Sequence, residues 1–289
     1  MNGYTYIKQR QIQWARRKQI PLVGSQGARG EQAYTERLEQ NLFEGLQPAT
    51  RLEFQAADGG ELGNGGNPAK MQAVHSSSAL ACNLFQYLRR ANRSSAIAVA
   101  CGVPCNENAT LAMEAKLPIM AEPDRGVFPQ DPNIDGVIVS PELEAALHGI
   151  GIEVKLTEPY CKRGDSGLKD AYVMRNELWQ GLANCHELGQ TISVHNGRFK
   201  HLDAAQLLKH VLGLKHRFER DFTLVYLSYD VPGEQGCRHG AEIEEFSSIL
   251  RADGVNFVAV SVQQWILNVQ AECGGDDRAY VDYICERYL

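Results

Sequence analysis

Two apolar segments near the end of the sequence, with one helix between them, constrain the fold more than any other feature. Residues 221–231 (DFTLVYLSYDV) and 256–266 (NFVAVSVQQWI) are typical of buried strands, and residues 239–253 (HGAEIEEFSSILRAD) predict the intervening helix. A strand–helix–strand unit of this kind nearly always forms a right-handed crossover between parallel strands. The sequence therefore predicts an α/β fold whose central sheet is parallel at this end.

Three more strands are predicted earlier in the chain, without helices between them. They cover residues 109–120, 133–140 and 150–158. Their order favours an antiparallel meander, and strong helical periodicity predicts a helix before them (75–92) and another after them (201–218). We therefore expect a mixed central sheet flanked by helices, in the order helix, three strands, helix, strand.

The first fifty residues differ in charge and pattern from the rest of the chain. Periodicity predicts helices over 4–20 and 31–44, followed by a short strand over 51–55 and, much later, a helix near 169–184. Residues 1–30 contain six Lys or Arg and no Asp or Glu, so a chain of net charge −6 carries −12 elsewhere. We divide the chain into a helical extension (1–50) and a main domain (51–289). The basic extension is either a phosphate-contacting arm or a solvated helix.

One predicted strand carries two charges on the same face. In GIEVKLTEPY, residues 151–160, Glu153 and Lys155 alternate with Ile152, Val154 and Leu156. Because strand side chains alternate between faces, the two charges point the same way, about 6.6 Å apart along the strand. Asp135 lies in the preceding strand, NIDGVIVS, and stands beside Glu153 if the two strands pair.

Two carboxylates and a lysine on one sheet face have a specific chemical use. Carboxylates bind Mg²⁺, or Mn²⁺ in its place, and the ion activates water and neutralises charge on a phosphate. Asp135 and Glu153 would hold the ion, with the backbone carbonyl of Val154 as a further ligand, while Lys155 orients the water or stabilises the pentavalent transition state. The alternative is a strand ion pair, with Asp135 capping a turn.

The strings NID and IEVK resemble the PD-(D/E)XK nuclease superfamily, whose core is a helix, three strands, a helix and a further strand. The helix HSSSALACNLFQYL and the string IEVKLTE look like a restriction-endonuclease-like branch of bacterial proteins with an SSxxLxxN helix. The likeness covers roughly residues 52–265. It implies Asp135 and Glu153 as metal ligands and Lys155 as the catalytic lysine. The chain departs from the superfamily motif at Ile134, where a proline is usual.

The resemblance also implies supporting residues. Such nucleases often carry a glutamine on the helix after the third strand, and Gln206 fits that place. Many also carry an acid near the first helix, for which Glu61 in the loop DGGELGNGG is a candidate; the alternative is a flexible loop with an incidental glutamate. A long insertion, residues 158–200, precedes the helix of Gln206.

Three other patterns do not by themselves define a functional site. A positive strip near the 201–218 helix, which is either a phosphate contact or a solvated face, includes Lys200, Lys209, His210 and Arg217. GDSGL, with Ser166, is similar to a serine-protease loop, but the rest of that pattern is missing, so a turn is expected. Cys101, Cys105 and Cys185 lack zinc-ligand spacing and are expected to be buried thiols.

The residues and the resemblance together predict a Mg²⁺-dependent deoxyribonuclease, most simply an endonuclease, acting in restriction, defence or repair. The alternative is a nuclease-like fold that has lost catalysis and serves as a nucleic-acid-binding or assembly module. We expect a cytoplasmic protein, because no signal peptide is visible and the longest apolar run is too short to cross a membrane. Nucleases that cut both strands often dimerise, so a homodimer is an open alternative.

Overall fold

A five-stranded sheet forms the centre of the molecule. The computed structural model describes residues 2–26, 29–65, 67–121, 128, 131–141, 147–161 and 167–289. The central strands are β3 (Thr110–Lys116), β4 (Asn133–Pro141), β5 (Leu147–Lys155), β6 (Phe222–Ser228) and β7 (Asn256–Ser261). Two short strands, β1 (Leu22–Val23) and β2 (Tyr34–Thr35), form a separate ribbon.

Helices precede the central strands, connect them and follow them along the chain. They are α1 (Gly3–Arg17), α2 (Pro48–Ala56), α3 (Ser77–Arg90), α4 (Ser94–Ala100), α5 (Asp170–Val173), α6 (Ala183–Thr191), α7 (Ala204–Phe218), α8 (Glu234–Ala252), α9 (Val262–Glu272) and α10 (Arg278–Tyr288). No helix in the described ranges is long and apolar enough to cross a membrane.

The topology of the central sheet agrees with the predicted one. Strand order is β3-β4-β5-β6-β7, with β3, β4 and β5 antiparallel and β5, β6 and β7 parallel. The order α3, three strands, α7, β6 is the predicted core, and α8 supplies the crossover between β6 and β7. The α/β prediction of a mixed sheet flanked by helices is confirmed.

The two faces of β5 pack against two different apolar layers. Ile150, Ile152 and Val154 pack in the layer formed with α3, α4, α9 and α10. The opposite layer contains the apolar side chains of α6, α7 and α8. Residues of odd number in β5 therefore face α7, which covers this side of the sheet.

Helix α7 runs antiparallel to β5 in a matched register. A Cβ atom at Gly149 would collide with the Phe218 ring, and a Cβ at Gly151 would lie 2.7 Å from Leu214 Cδ1. Two strand residues advance about 6.6 Å, and four helix residues advance about 6.0 Å, so each second strand residue meets each fourth helix residue. The two glycines bring the helix close to the strand, and the register continues into the charged half of β5.

Two elements predicted near the N-terminus are wrong. Residues 31–44 do not form a helix, but contain β2 and a 3₁₀ turn over Leu38–Asn41. The buried Asn41 side chain donates hydrogen bonds to the carbonyls of Met71 and Ala73, and these tertiary contacts override the helical pattern. Residues 51–55 belong to α2 rather than to a strand, because Pro48 begins a helix that buries Phe54.

Part of the second late strand is also helical. Residues 262–266 were predicted to continue the strand, yet they begin α9. The side chain of Ser261 accepts a hydrogen bond from the Gln264 amide, 3.1 Å, and so caps the new helix. Helices α4 and α10 were not predicted.

A buried arginine ties the N-terminal segment to α10. Arg287 is 2 % exposed and donates to Gln11 Oε1 (3.0 Å), the Asn41 carbonyl (2.8 Å) and Asn41 Oδ1 (2.6 Å). Its guanidinium also lies 4.0 Å from the centre of the Trp14 ring. The division of the chain at residue 50 stays a prediction, and these contacts cross the proposed boundary.

Stability at mildly acidic pH is expected to depend on His75. Burial lowers the pKa of His75 from 6.5 to about 4, and the neighbouring Lys8 acts in the same direction. The unfolded chain therefore binds this proton more tightly than the folded one, and the free energy of unfolding falls as pH drops from 6.5 toward 4, by at most about 3 kcal/mol.

Urea unfolding of wild type and His75→Phe at pH 7 and pH 4.5 measures this contribution. We expect the variant to lose less stability than wild type between the two pH values. An equal loss in both proteins would contradict the assignment to His75.

Candidate active site

The predicted acids of β4 and β5 lie side by side. Gly136 pairs with Ile152, and one step further along the antiparallel register Asp135 stands opposite Glu153. Glu153 lies on the sheet face that α7 covers, and Asp135 lies close enough for the charge of Glu153 to act on it. Oδ2 of Asp135 accepts a hydrogen bond from the Val154 amide, 2.6 Å, which fixes one carboxylate oxygen against the neighbouring strand.

Lys155 connects the acids of the sheet to α7. Its Nζ donates to Glu153 Oε1 at 2.5 Å and to Gln206 Oε1 at 2.9 Å. Gln206 lies in the first turn of α7, where its amide donates to the capping carboxylate of Asp203, 3.0 Å. The register that places Leu214 on Gly151 therefore places Gln206 on Lys155.

One turn further along α7, His210 faces Glu153. Its Nε2 lies 3.0 Å from Glu153 Oε2, and the two side chains are 1 % and 3 % exposed. His210 was predicted to belong to a positive strip that contacts phosphate or is solvated; the matched register of α7 and β5 instead buries the ring, and a nucleic-acid contact by His210 stays a prediction. Its signal in the sequence was the four-residue spacing from Gln206, which places both side chains on one helix face.

The other members of the positive strip do not share one surface. Lys200 precedes α7 and is exposed, Lys209 is half-buried, and Arg217 is exposed in the last turn. Burial lowers the pKa of Lys209, and nearby Lys169 and Lys155 lower it further. Lys209 lies close enough to Glu153 to feel its charge, whereas Lys200 and Arg217 flank the helix at its two ends. Nucleic-acid binding by these residues stays a prediction.

Sequence reasoning missed a third carboxylate, Glu114 of β3. In the β3–β4 register, Met113 pairs with Gly136 and Ala115 with Ile134, so Glu114 lies opposite Asp135. Its φ is +49°, a left-handed conformation that costs about 1–2 kcal/mol for a residue with a side chain. Asn133 Nδ2 donates to Glu114 Oε2 at 2.6 Å. An acid inside an apolar strand was the only signal in the sequence.

The loop acid Glu61 lies near this group. Its side chain is 17 % exposed, and Oε1 lies 3.7 Å from Lys70 Nζ. Its charge contributes to the raised pKa of Glu114, so the two carboxylates are electrostatic neighbours. A catalytic role for Glu61 stays a prediction.

The carboxylates outnumber the cations that neutralise them. Burial raises the pKa of Glu114 to about 8, with Glu153 and Glu61 adding to the effect. Burial, Glu153 and Glu114 raise the pKa of Asp135 well above its usual range. Burial also acts to raise the pKa of Glu153, but Lys155 and His210 outweigh it and hold that pKa at about 2.

The lysine keeps its proton in this environment. Burial acts to lower the pKa of Lys155, but Glu153, Glu158 and Asp135 outweigh it and raise the pKa above the usual value. Lys155 is therefore a cation and a hydrogen-bond donor at neutral pH, and it is unsuited to act as a base.

The donor set fits a divalent cation that keeps much of its water. Burial, and after it the charges of the neighbouring carboxylates, raise the pKa values of Asp135 and Glu114, so a cation placed among these acids would favour their ionised forms. Within the residues that the structure describes, no three His, Cys, Asp or Glu side chains are close enough together to hold a metal ion. An ion bound through one or two carboxylates and several waters, as Mg²⁺ often is, suits this arrangement.

Ser166, the serine of the loop that is similar to a serine-protease loop, lies outside the described residues. The cysteines in the part of the chain described are free, and burial raises the pKa of Cys82, of Cys101 to about 12, and of Cys185, which is typical of inert thiols.

The mixed sheet, its helix order and the acids at the β4–β5 junction define a restriction-endonuclease-like protein. Comparison with protein families agrees: the model of the family described as "Restriction Endonuclease associating with ARP" matches residues 8–288. The chain belongs to this family, and the resemblance drawn from its sequence is confirmed. No curated protein matches the chain, and no solved structure does.

Proposed function

We propose that this protein is a metal-dependent nuclease that hydrolyses phosphodiester bonds in DNA. The observation that carries the proposal is the position of Lys155, whose ammonium contacts Glu153 and Gln206 while Asp135 lies across the strand pair. An ion-pair role alone would not require a third polar partner from α7 or an additional buried acid. Membership of a restriction-endonuclease family supports the same class of reaction.

Asp135 and Glu153 are the residues that would hold the ion, Mg²⁺ or Mn²⁺. Their carboxylates come from adjacent strands, and a cation between them would offset the burial and like-charge repulsion that raise the pKa of Asp135. The Val154 amide faces Asp135, and because the N–H and C=O of one strand residue point to the same side, its carbonyl is directed to that side too. When bound, the ion would supply an activated water and neutralise charge on the phosphate.

The protein's own residues would orient the reacting groups. Lys155 is a fixed cation whose donor atoms are positioned by Glu153 and Gln206, so it can donate a hydrogen bond to the attacking water or to a phosphate oxygen. Gln206 holds the lysine from the helix side and prevents it from turning fully toward the carboxylates. Lys209, Lys200 and Arg217 are candidates to contact the DNA backbone at low specificity.

The first test is cleavage of supercoiled plasmid, linear single-stranded DNA and RNA by the full chain with Mg²⁺, Mn²⁺ or EDTA. We expect metal-dependent cutting of DNA by wild type and loss of cutting in Asp135→Asn. Asp282→Asn, an exposed acid on α10, is the matched control and should cut normally. Cutting that persists in Asp135→Asn or in EDTA would refute the assignment. Product ends on circular and linear DNA separate endonuclease from exonuclease action.

A second candidate function follows from the family description, which names an association with ARP. In this alternative the chain is a nucleic-acid-binding or assembly module that does not cut. Folded protein that binds DNA and its partner, but cleaves no substrate with any metal, would favour it. We also propose a cytoplasmic location and a homodimer for double-strand cutting, and light scattering of the purified chain tests the dimer.

A further inference from the structure

We infer that His210 Nε2 is a direct ligand of the ion held by Glu153, and that the site therefore prefers a first-row transition cation such as Mn²⁺ over Mg²⁺. The inference rests on the proposed function and names the metal class of the same site. It assigns a nitrogen ligand on α7 to a site that otherwise offers only oxygen atoms from the sheet.

The first argument is that buried polar atoms lack hydrogen-bond partners. His210 is 1 % exposed, and neither of its ring nitrogens makes a hydrogen bond to any residue in the described ranges. Oε2 of Glu153, a residue that is 2 % exposed, likewise has no hydrogen-bond donor there. Buried polar atoms are rarely left unpaired, because each costs about 1–3 kcal/mol. An ion bound to Nε2 and Oε2 would remove that cost for these two atoms.

The second argument is geometric. Nε2 and Oε2 are 3.0 Å apart, a close polar contact in which neither atom has a hydrogen-bond partner of good geometry among the described residues. Two ligands at right angles on an octahedral ion, each about 2.1 Å from the metal, are themselves about 3.0 Å apart. The distance between Nε2 and Oε2 therefore matches that between neighbouring ligands of one metal ion.

The third argument concerns the groups that surround Glu153 and His210. Lys155 occupies the other oxygen of Glu153, so Oε2 is the oxygen that remains for an ion. The matched register of α7 and β5 holds the imidazole in place, because Leu214 and Gln206 contact the strand one turn away on either side. A histidine fixed from both sides is pre-organised for coordination.

The chemistry of the ligand sets the choice of metal. Mg²⁺ is a hard ion that takes oxygen ligands almost entirely, whereas imidazole nitrogen suits transition ions. Mn²⁺ also accepts carboxylates and water, so it is compatible with Glu153 as well as with His210, with water in its other positions. A site of mixed nitrogen and oxygen ligands therefore distinguishes the two ions.

The competing interpretation is that His210 is an ion-pair partner of Glu153. The two interpretations predict opposite signs for the effect of removing the imidazole. If His210 is a ligand, its loss weakens Mn²⁺ binding. If it is a competing cation, its loss frees Glu153 Oε2 and strengthens the binding of every divalent ion.

Calorimetric titration of the metal-free full chain with MnCl₂ and with MgCl₂ separates them. We expect Mn²⁺ to bind wild type more tightly than Mg²⁺, and His210→Leu to lower Mn²⁺ affinity by about tenfold or more with a much smaller effect on Mg²⁺. His216→Gln, an exposed histidine on the same helix, is the control and should bind both ions like wild type. Circular dichroism checks the fold of each variant.

Pulsed electron paramagnetic resonance of the Mn²⁺-loaded protein gives a readout that does not depend on nuclease activity. Direct coordination predicts nitrogen modulation of the Mn²⁺ echo in wild type and in His216→Gln, and its loss in His210→Leu. Absence of nitrogen modulation, or Mn²⁺ binding that is unchanged or tighter in His210→Leu, would overturn the inference and leave the nuclease proposal standing. Failure of wild type to bind any divalent ion would overturn both.

Discussion

Replacing Lys155 with methionine is expected to lower the rate of metal-dependent DNA cleavage by about 10²–10³-fold. Methionine keeps most of the volume of the side chain but removes the donor that Glu153 and Gln206 hold in position. Plasmid cleavage under single-turnover conditions measures the loss, and binding of uncleaved DNA in Ca²⁺ checks that the substrate still binds. Lys18→Met, which removes an exposed lysine paired with Glu286, should cleave at the wild-type rate.

The same substitution is expected to destabilise the fold. It leaves the carboxylate of Glu153 buried without its lysine, and breaking a buried pair in this way typically costs about 3–5 kcal/mol. Adding Glu153→Gln should restore much of the stability, because the orphaned charge is removed, yet it should restore no cleavage. Recovery of cleavage in the double variant, or full activity in Lys155→Met, would show that Lys155 is a structural cation only.

The second large effect concerns Arg287. Arg287→Met is expected to lower the free energy of unfolding by about 3–5 kcal/mol, because several charge-assisted hydrogen bonds are lost and buried acceptors remain unpaired. These acceptors are on Gln11, Asn41 and Val74. The loss should be larger than that of an ordinary core methylene deletion, because the arginine joins three segments that are distant in the sequence.

Urea unfolding followed by circular dichroism measures this change. Arg278→Met is the matched control on the same helix, since its side chain is 84 % exposed and its one ion pair, with Asp282, spans 3.6 Å. We expect the control to change stability by less than about 1 kcal/mol. Similar losses in the two variants would mean that the buried network contributes little.

The central sheet could be predicted because its strands are strongly apolar and its crossover obeys a handedness rule. Asp135, Glu153 and Lys155 were predictable for the same reason, since alternation fixes the face of each side chain once the strands are known. Gln206 was implied by the resemblance, because such nucleases often carry a glutamine on the helix after the third strand.

The remaining features depend on contacts that periodicity does not encode. Glu114 joins the acids because its own backbone turns left-handed opposite Asp135, which no local pattern indicates. His210 reaches Glu153 because Gly149 and Gly151 allow α7 to approach β5 closely. The segment 31–44 has a helical pattern, but hydrogen bonds from Asn41 to distant carbonyls determine its shape.

The matched register of α7 and β5 also determines which changes in chain length this family can accept. A residue inserted between Gln206 and His210 would rotate one end of the helix by about 100° relative to the other and would separate one polar pair from the strand. Loops elsewhere can lengthen at small cost, since closure entropy grows slowly with length. Among related chains, insertions and deletions should therefore be absent from this turn of α7 even where its exposed residues vary freely.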